Sequence, residues 1–169
     1  MKKAPTDFRR ITLLVHRMEP ALAIYRDILG MHTYYDKEGS VSVPGDPPDA
    51  PKSPARLVIL QCNDPYVGML GFMQLLDATA SATAPAPRPV DARLRPGEGV
   101  LVMTHDNVEV AYEKLKGVEG VQLVDEPRVT EFPRGDGGVF RVEGFRFLDP
   151  NGFFVDLHQA VGNERTLFA

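Results

Sequence analysis

Cysteine is almost missing from this chain: Cys62 is the only one in 169 residues. A lone thiol cannot close an internal disulfide, so no covalent staple holds the fold. Its place in the apolar run LVILQC points to a buried structural thiol. Basic tracts interleaved with aromatics are missing too, and the formal net charge is −4. That excludes the electrostatic footprint of a nucleic-acid binder. No apolar run approaches the ~20 residues a membrane helix needs. The N-terminus, MKKAPTDFRR, starts basic but turns polar where a signal peptide needs an apolar stretch. The expectation is a soluble cytoplasmic protein with no nucleic-acid partner and no membrane partner.

What is present is ordinary globular material, 43% hydrophobic and 25% charged. That suffices for one well-filled core or for two half-sized modules sharing one. The order of residues favours the modules, because two segments follow the same plan. ITLLVH leads through Arg17–Pro20 into ALAIYRDILG, and VLVMTHDN leads into VEVAYEKLKG. Each opens on a β-rich run ending in histidine, His16 or His105. Each continues with apolar residues at helical i, i+3, i+4, i+7 spacing: Ala21, Ile24, Tyr25 and Ile28, then Val108, Ala111, Tyr112 and Leu115. Pro20 suits a first helical turn, and Asp106 or Asn107 suits an N-cap. Gly30 and Gly117 stand where a left-handed residue ends a helix.

Strands are expected after each helix. They fall at His32 to Asp36, Ala55 to Cys62 and Gly68 to Leu76, then at Val121 to Asp125, Val139 to Phe147 and Phe153 to Gln159. The plan is therefore β-α-β-β-β twice, in modules spanning residues 8–77 and 98–160. A Pro- and Ala-rich linker, residues 78–97, separates them. The proline-rich loop VPGDPPDAPKSP (Val43 to Pro54) is a further interruption, either a lid or a surface excursion. In the opening strand, Ile11, Leu13 and Val15 alternate with Arg10, Thr12, Leu14 and His16. The uniformly apolar set is the natural side for the helix to cover, which leaves the mixed set on the other side. The same rule on the closing strand groups Phe154, Asp156 and His158.

The helix start ALAIYRDILGM, the closing FLDPNGFFVDLHQ and the duplicated halves resemble the vicinal oxygen chelate superfamily. That group includes glyoxalase I, bleomycin-resistance proteins, extradiol dioxygenases and fosfomycin-resistance enzymes. The resemblance implies an α+β fold in which two tandem βαβββ modules form an open, cup-shaped, eight-stranded mixed sheet. The helices then lie outside and the ligand lies in the cup. Members commonly pair through sheet edges, so a homodimer is expected.

Metal-dependent members resemble one another in four ligand positions. Transferred here, these fall on Arg10, near Gln74, on or beside Gly99, and on Asp156. A guanidinium has no lone pair to give and glycine has no side chain, so no metal and no other cofactor is expected. His16 lies six strand residues from Arg10, ~20 Å away, too far to substitute. His158, ~7 Å beyond Asp156, adds one donor at most.

The candidate catalytic residues are Asp156 as base or electrostatic group, His158 as its support, and Arg10 as the oxygen anchor. Candidate ligand contacts are Arg10, Gln74, Phe154, Leu14 and Met103. A structural reading stands beside these: Arg10 and Asp156 pair across a vestigial site, and His158 is an ordinary strand-end side chain. His16 and His105 are expected to be structural, and His32 to lie on the surface. The glycines of RGDGG fit a hairpin turn better than an anion-cradling loop.

The function expected is a metal-free protein that binds a small organic ligand, with a metal-independent lyase or isomerase as its catalytic form. One alternative is a metal-dependent glyoxalase-like lyase or dioxygenase. Another is a non-catalytic, drug-sequestering resistance protein, and a third is a regulatory member whose cup is filled by its own side chains.

Overall fold

A computed structural model describes residues 6–43, 45–77, 88–90, 93–135 and 137–162. The chain divides into two compact units, Met1–Pro85 and Ala86–Ala169. Most of the linker expected at 78–97 lies outside the described residues.

The first unit contains strand β1 (Arg10–Leu14), helix α1 (Met18–Leu22) running into a π-helical segment (Ala23–Ile28), and strands β2 (His32–Val41), β3 (Ser53–Gln61) and β4 (Met69–Leu75). They form a four-stranded sheet in the order β1-β4-β3-β2, with β1 and β4 parallel and the other pairs antiparallel. Alternation explains the burial. Leu13 and Val15 are buried, Leu14 is exposed, and the helix lays Met18, Ala21, Leu22, Ile24 and Tyr25 against the sheet. The Tyr25 ring sits 5.0 Å from that of Phe72 on β4. Leu29 N–H donates to the Ile24 carbonyl, a wide π-type turn, and Gly30 at φ 76° then turns the chain out, as expected of it. On this same side Arg56 donates to both Glu19 and Asp36, tying α1 to the outer strands.

The second unit contains β5 (Val100–Thr104), helix α2 (Val108–Leu115), β6 (Gln122–Leu123), β7 (Arg128–Pro133), β8 (Val139–Leu148) and β9 (Phe154–Ala160). Its sheet runs β5-β9-β8, and both β6 and β7 pair with the outer side of β8. Asn107 caps α2 by accepting from the Val110 N–H at 3.0 Å. Val108, Ala111 and Leu115 are buried, and Tyr112 meets Phe145 edge-on at 5.0 Å. The DPNG turn is held from within. Asp149, only 2% exposed, accepts from the Asn151 and Phe153 N–H groups, and Gly152 takes φ 86°.

The α+β fold class with its duplicated modules matches expectation, organised as sheets of four and five strands. Several details differ. Strand β7 was not expected; all six of its residues are exposed, so it carries no burial alternation to read. Strand β2 extends five residues past Asp36, carried by its ladder to β3. Gly120, not Gly117, takes the left-handed conformation. Cys62 is exposed rather than buried, because β3 ends at Gln61 and leaves it in the following loop. Neighbouring atoms still desolvate its sulfur enough to raise the thiol pKa.

Candidate functional site

In the second unit, the sheet face opposite α2 carries the polar chemistry. The ladders place its residues in two rows across the strands. One row runs Arg128, Gly144, His158, Thr104, and the next runs Arg146, Asp156, Val102. Val155 and Leu157 point to the other face and are buried there, which leaves Asp156 and His158 half-buried on the open side. His158 lies inside β9, not at its end as expected, because pairing continues to Ala160. Gly144 leaves room for it: a Cβ there would lie 2.7 Å from the His158 Cβ and 2.6 Å from the Leu157 carbonyl oxygen.

The outer edge of this face is shaped by a break between β6 and β7. Pro127, with no N–H for a ladder, sits in that break. Asp125 spans it with its side chain. The Val124 N–H donates to the Arg146 carbonyl in the usual way, but the Arg146 N–H donates to Asp125 Oδ1 at 2.7 Å. A carboxylate oxygen thus takes the place of a backbone carbonyl. The other oxygen, Oδ2, accepts from Arg146 Nε at 2.8 Å and Nη2 at 2.5 Å, with Arg128 Nη2 3.6 Å away. The Asp125 side chain is 18% exposed and the Arg146 side chain 41%. The Asp125 hydrogen bond raises the Arg146 pKa, and Asp156 adds to the rise.

A cavity of about 450 Å³ opens on this face. Val102, Phe132 and Phe140 give it apolar wall, and Arg146, Asp156 and His158 give it polar points. That volume falls in the usual range for small-molecule sites, roughly 300–1,000 Å³. Among the described residues the Asp156 carboxylate and the His158 imidazole make no hydrogen bond or ion pair. Both are therefore available to a ligand.

The remaining candidates separate by face. Phe154 shares the open face, in register with Val100. Met103 is in register with Leu157, on the α2 side. In the first unit, Arg10 and Leu14 lie on the open face of β1 with Thr12. Gln74 sits on the α1 side with Phe72, and its amide donates to the His16 carbonyl at 3.0 Å. Met73 occupies the open face beside it. Arg128, Arg146 and Asp125 were missed in the sequence. Counting back along β8 from the DPNG turn places Arg146 opposite Asp156, so that much was available.

The donor set does not fit a metal. Arg10, Met73 and Gly99 offer no ionisable oxygen or imidazole, Gln74 faces the helix, and Asp125 is engaged by two arginines. Asp156 and His158 alone give two donors, fewer than a catalytic ion takes. Among the described residues no three His, Cys, Asp or Glu side chains cluster closely enough to hold an ion.

Comparison with known proteins agrees with this architecture. Residues 8–157 match the profile of the Glyoxalase/Bleomycin resistance protein/Dioxygenase superfamily. A glyoxalase family protein from Bacillus cereus superposes with a TM-score of 0.62 at 13% identity, covering 95% of this chain and 98% of that one. The trypanothione-dependent glyoxalase I of Leishmania major superposes with a TM-score of 0.53 at 15% identity, covering 96% and 90%. At these identities the likeness concerns the fold. No curated protein matches the sequence. The chain belongs to the Glyoxalase/Bleomycin resistance protein/Dioxygenase superfamily.

Proposed function

We propose that this superfamily member binds a small organic molecule without a metal, in the cavity on the open face of the second module, and acts on it as a lyase or isomerase of the glyoxalase type. The observation that carries the reading is the Asp156–His158 pair: two half-buried groups, unpaired among the described residues, facing one apolar-walled cavity. Side chains two residues apart on a strand stand ~7 Å from each other, which suits proton exchange with different atoms of one small ligand. Asp156 takes a proton from carbon next to a carbonyl, and the charge develops on the carbonyl oxygen. His158, which lines the same cavity, supplies a proton there. On an α-hydroxycarbonyl ligand, Asp156 then returns its proton to the former carbonyl carbon while His158 regains one from the hydroxyl of the first carbon. That completes an isomerisation with no net change in atoms or electrons. Phe154, on the same face of β9 as Asp156 and His158, remains a ligand contact in this reading.

A thermal-shift screen of small carbonyl compounds, aromatic acids and cationic antibiotics tests binding. Turnover of a hit that Asp156→Asn abolishes without loss of binding supports catalysis. Tight binding without turnover places the chain with sequestering proteins instead. Stoichiometric metal in protein purified without chelator, together with metal-restored turnover, would overturn the metal-free reading. The same proposal includes a homodimer formed through sheet edges, for which the fully exposed outer strand β7 is a candidate. Light scattering that returns the mass of one chain would remove that part alone.

A further inference from the structure

The guanidinium of Arg146 is only half used. Nε and one N–H of Nη2 both point at Asp125 Oδ2, and the Arg146 backbone N–H takes Oδ1. Nη1 and the second N–H of Nη2 form the adjoining, terminal edge of the same plane, two parallel donors with no acceptor among the described residues. Asp156 is the nearest candidate by register, directly opposite on β9, yet it forms no ion pair with Arg146. Arg146 lines the cavity whose apolar wall includes Val102, Phe132 and Phe140. A donor fork beside an apolar wall matches a planar two-oxygen anion on an apolar body.

We propose that the outer edge of Arg146 receives a ligand carboxylate, and that Asp125 is the positioning residue that aims it. This rests on the reading of the second-module cavity as the ligand site and names the class of compound it prefers: aryl or alkyl monocarboxylates. Asp125 holds the guanidinium through two donors, Nε and Nη2, so less side-chain entropy remains to be lost when the carboxylate docks. Lysine at 146 would keep the charge but lose the fork. Asp156 acts in the opposite sense, since its negative charge stands one residue pair away and opposes a second anion.

Three probes of one shape separate the possibilities: phenylacetate, phenylacetamide and phenethylammonium, titrated into ¹⁵N-labelled full-length protein. Expected are shifts at the Val102, Gly144 and Arg146 amides and a preference for phenylacetate. Arg146→Lys weakens phenylacetate about tenfold and leaves phenylacetamide unchanged. Asp156→Asn strengthens phenylacetate about threefold. The opposite signs of these two changes exclude general unfolding as their cause, and a melting temperature confirms that each variant is folded. If the amide or the ammonium binds at these amides as well as the acid does, the carboxylate assignment is wrong while the cavity reading stands. If none of the three perturbs them, and the wider ligand screen also fails there, both are wrong.

Discussion

The two modules agree on one face and differ on the other. On the helix-covered side each places a tyrosine of its helix 5.0 Å from a phenylalanine of its sheet, Tyr25 on Phe72 and Tyr112 on Phe145. On the open side, the first module presents Met69, Gly71 and Met73 beside Leu57 and Ile59. The second presents Arg146, Asp156 and His158. Their second strands differ as well. Strand β2 is continuous for ten residues, whereas its counterpart is split into β6 and β7 and bridged by the Asp125 side chain. The helix side carries the stability that any such module needs, so the same solution serves both. The open side is free to vary: the first module sets Arg10 beside methionines there, whereas the second holds Arg146 against Asp125 with Asp156 and His158 beside it.

The largest expected effect tests the shared face. Phe72→Ala and Phe145→Ala each remove a fully buried ring and should cost about 3–5 kcal/mol. Calorimetry should find the two penalties similar; tolerance of either one would show that the modules do not share a packing solution. The next effect tests the difference. Asp125→Ala leaves the Arg146 N–H without its acceptor and strips the guanidinium of its partner, for about 2–3 kcal/mol in urea unfolding. Asp125→Asn should cost less, because the amide oxygen still accepts. Asp36→Ala in the first module, where the strand needs no bridge, should cost under about 1 kcal/mol. Equal penalties for Asp125→Ala and Asp36→Ala would remove the special role given to the break.

The sequence made the shared face easy to read and the differing face hard. Helical spacing found Ala21, Tyr25, Ala111 and Leu115, and strand alternation found Leu13 and Val15, because burial imposes a period. Strand β7 is exposed on both sides, so no period marks it. Gln74 shows how sharp the limit is. A position uncertain by one residue in a strand is uncertain as to its face, and Gln74 falls on the helix side while Met73 takes the open one. The common face of Asp156 and His158 was legible because the DPNG turn fixes where β9 begins. Arg146 was missed although the same turn fixes β8, and Asp125 escaped because a side chain replacing a carbonyl leaves no pattern in one sequence. The exposed Cys62 reflects a strand end misplaced by one residue.

Two glycines sharpen the comparison at smaller cost. Gly71 and Gly144 both lie beneath open-face side chains, but their surroundings yield differently. A Cβ at Gly144 meets the Leu157 carbonyl oxygen at 2.6 Å, a backbone atom held in the ladder. A Cβ at Gly71 meets Thr12 Oγ1 at 2.9 Å and Arg10 Cδ at 3.2 Å, side-chain atoms that can rotate away. Gly144→Ala should therefore cost about 1–3 kcal/mol and displace the His158 ring resonances. Gly71→Ala should cost less than about 1 kcal/mol.

The smallest effect is electrostatic and belongs to the first module. The Arg56 hydrogen bonds hold the Asp36 pKa below its ordinary value. A carboxyl with a depressed folded-state pKa stabilises the fold above its unfolded pKa, ~3.9, and loses that contribution as the pH falls through the folded value. Arg56→Gln should thus lower stability by a few tenths of a kcal/mol at neutral pH, since the pair is partly solvated, and the deficit should shrink below about pH 4. In the second module the outer-strand pair Arg141–Glu131 is 57% exposed on both sides. Water screens it more fully, so Arg141→Gln should lower stability at neutral pH by less than Arg56→Gln does. If both substitutions cost the same, the burial of Arg56 contributes nothing beyond a surface ion pair.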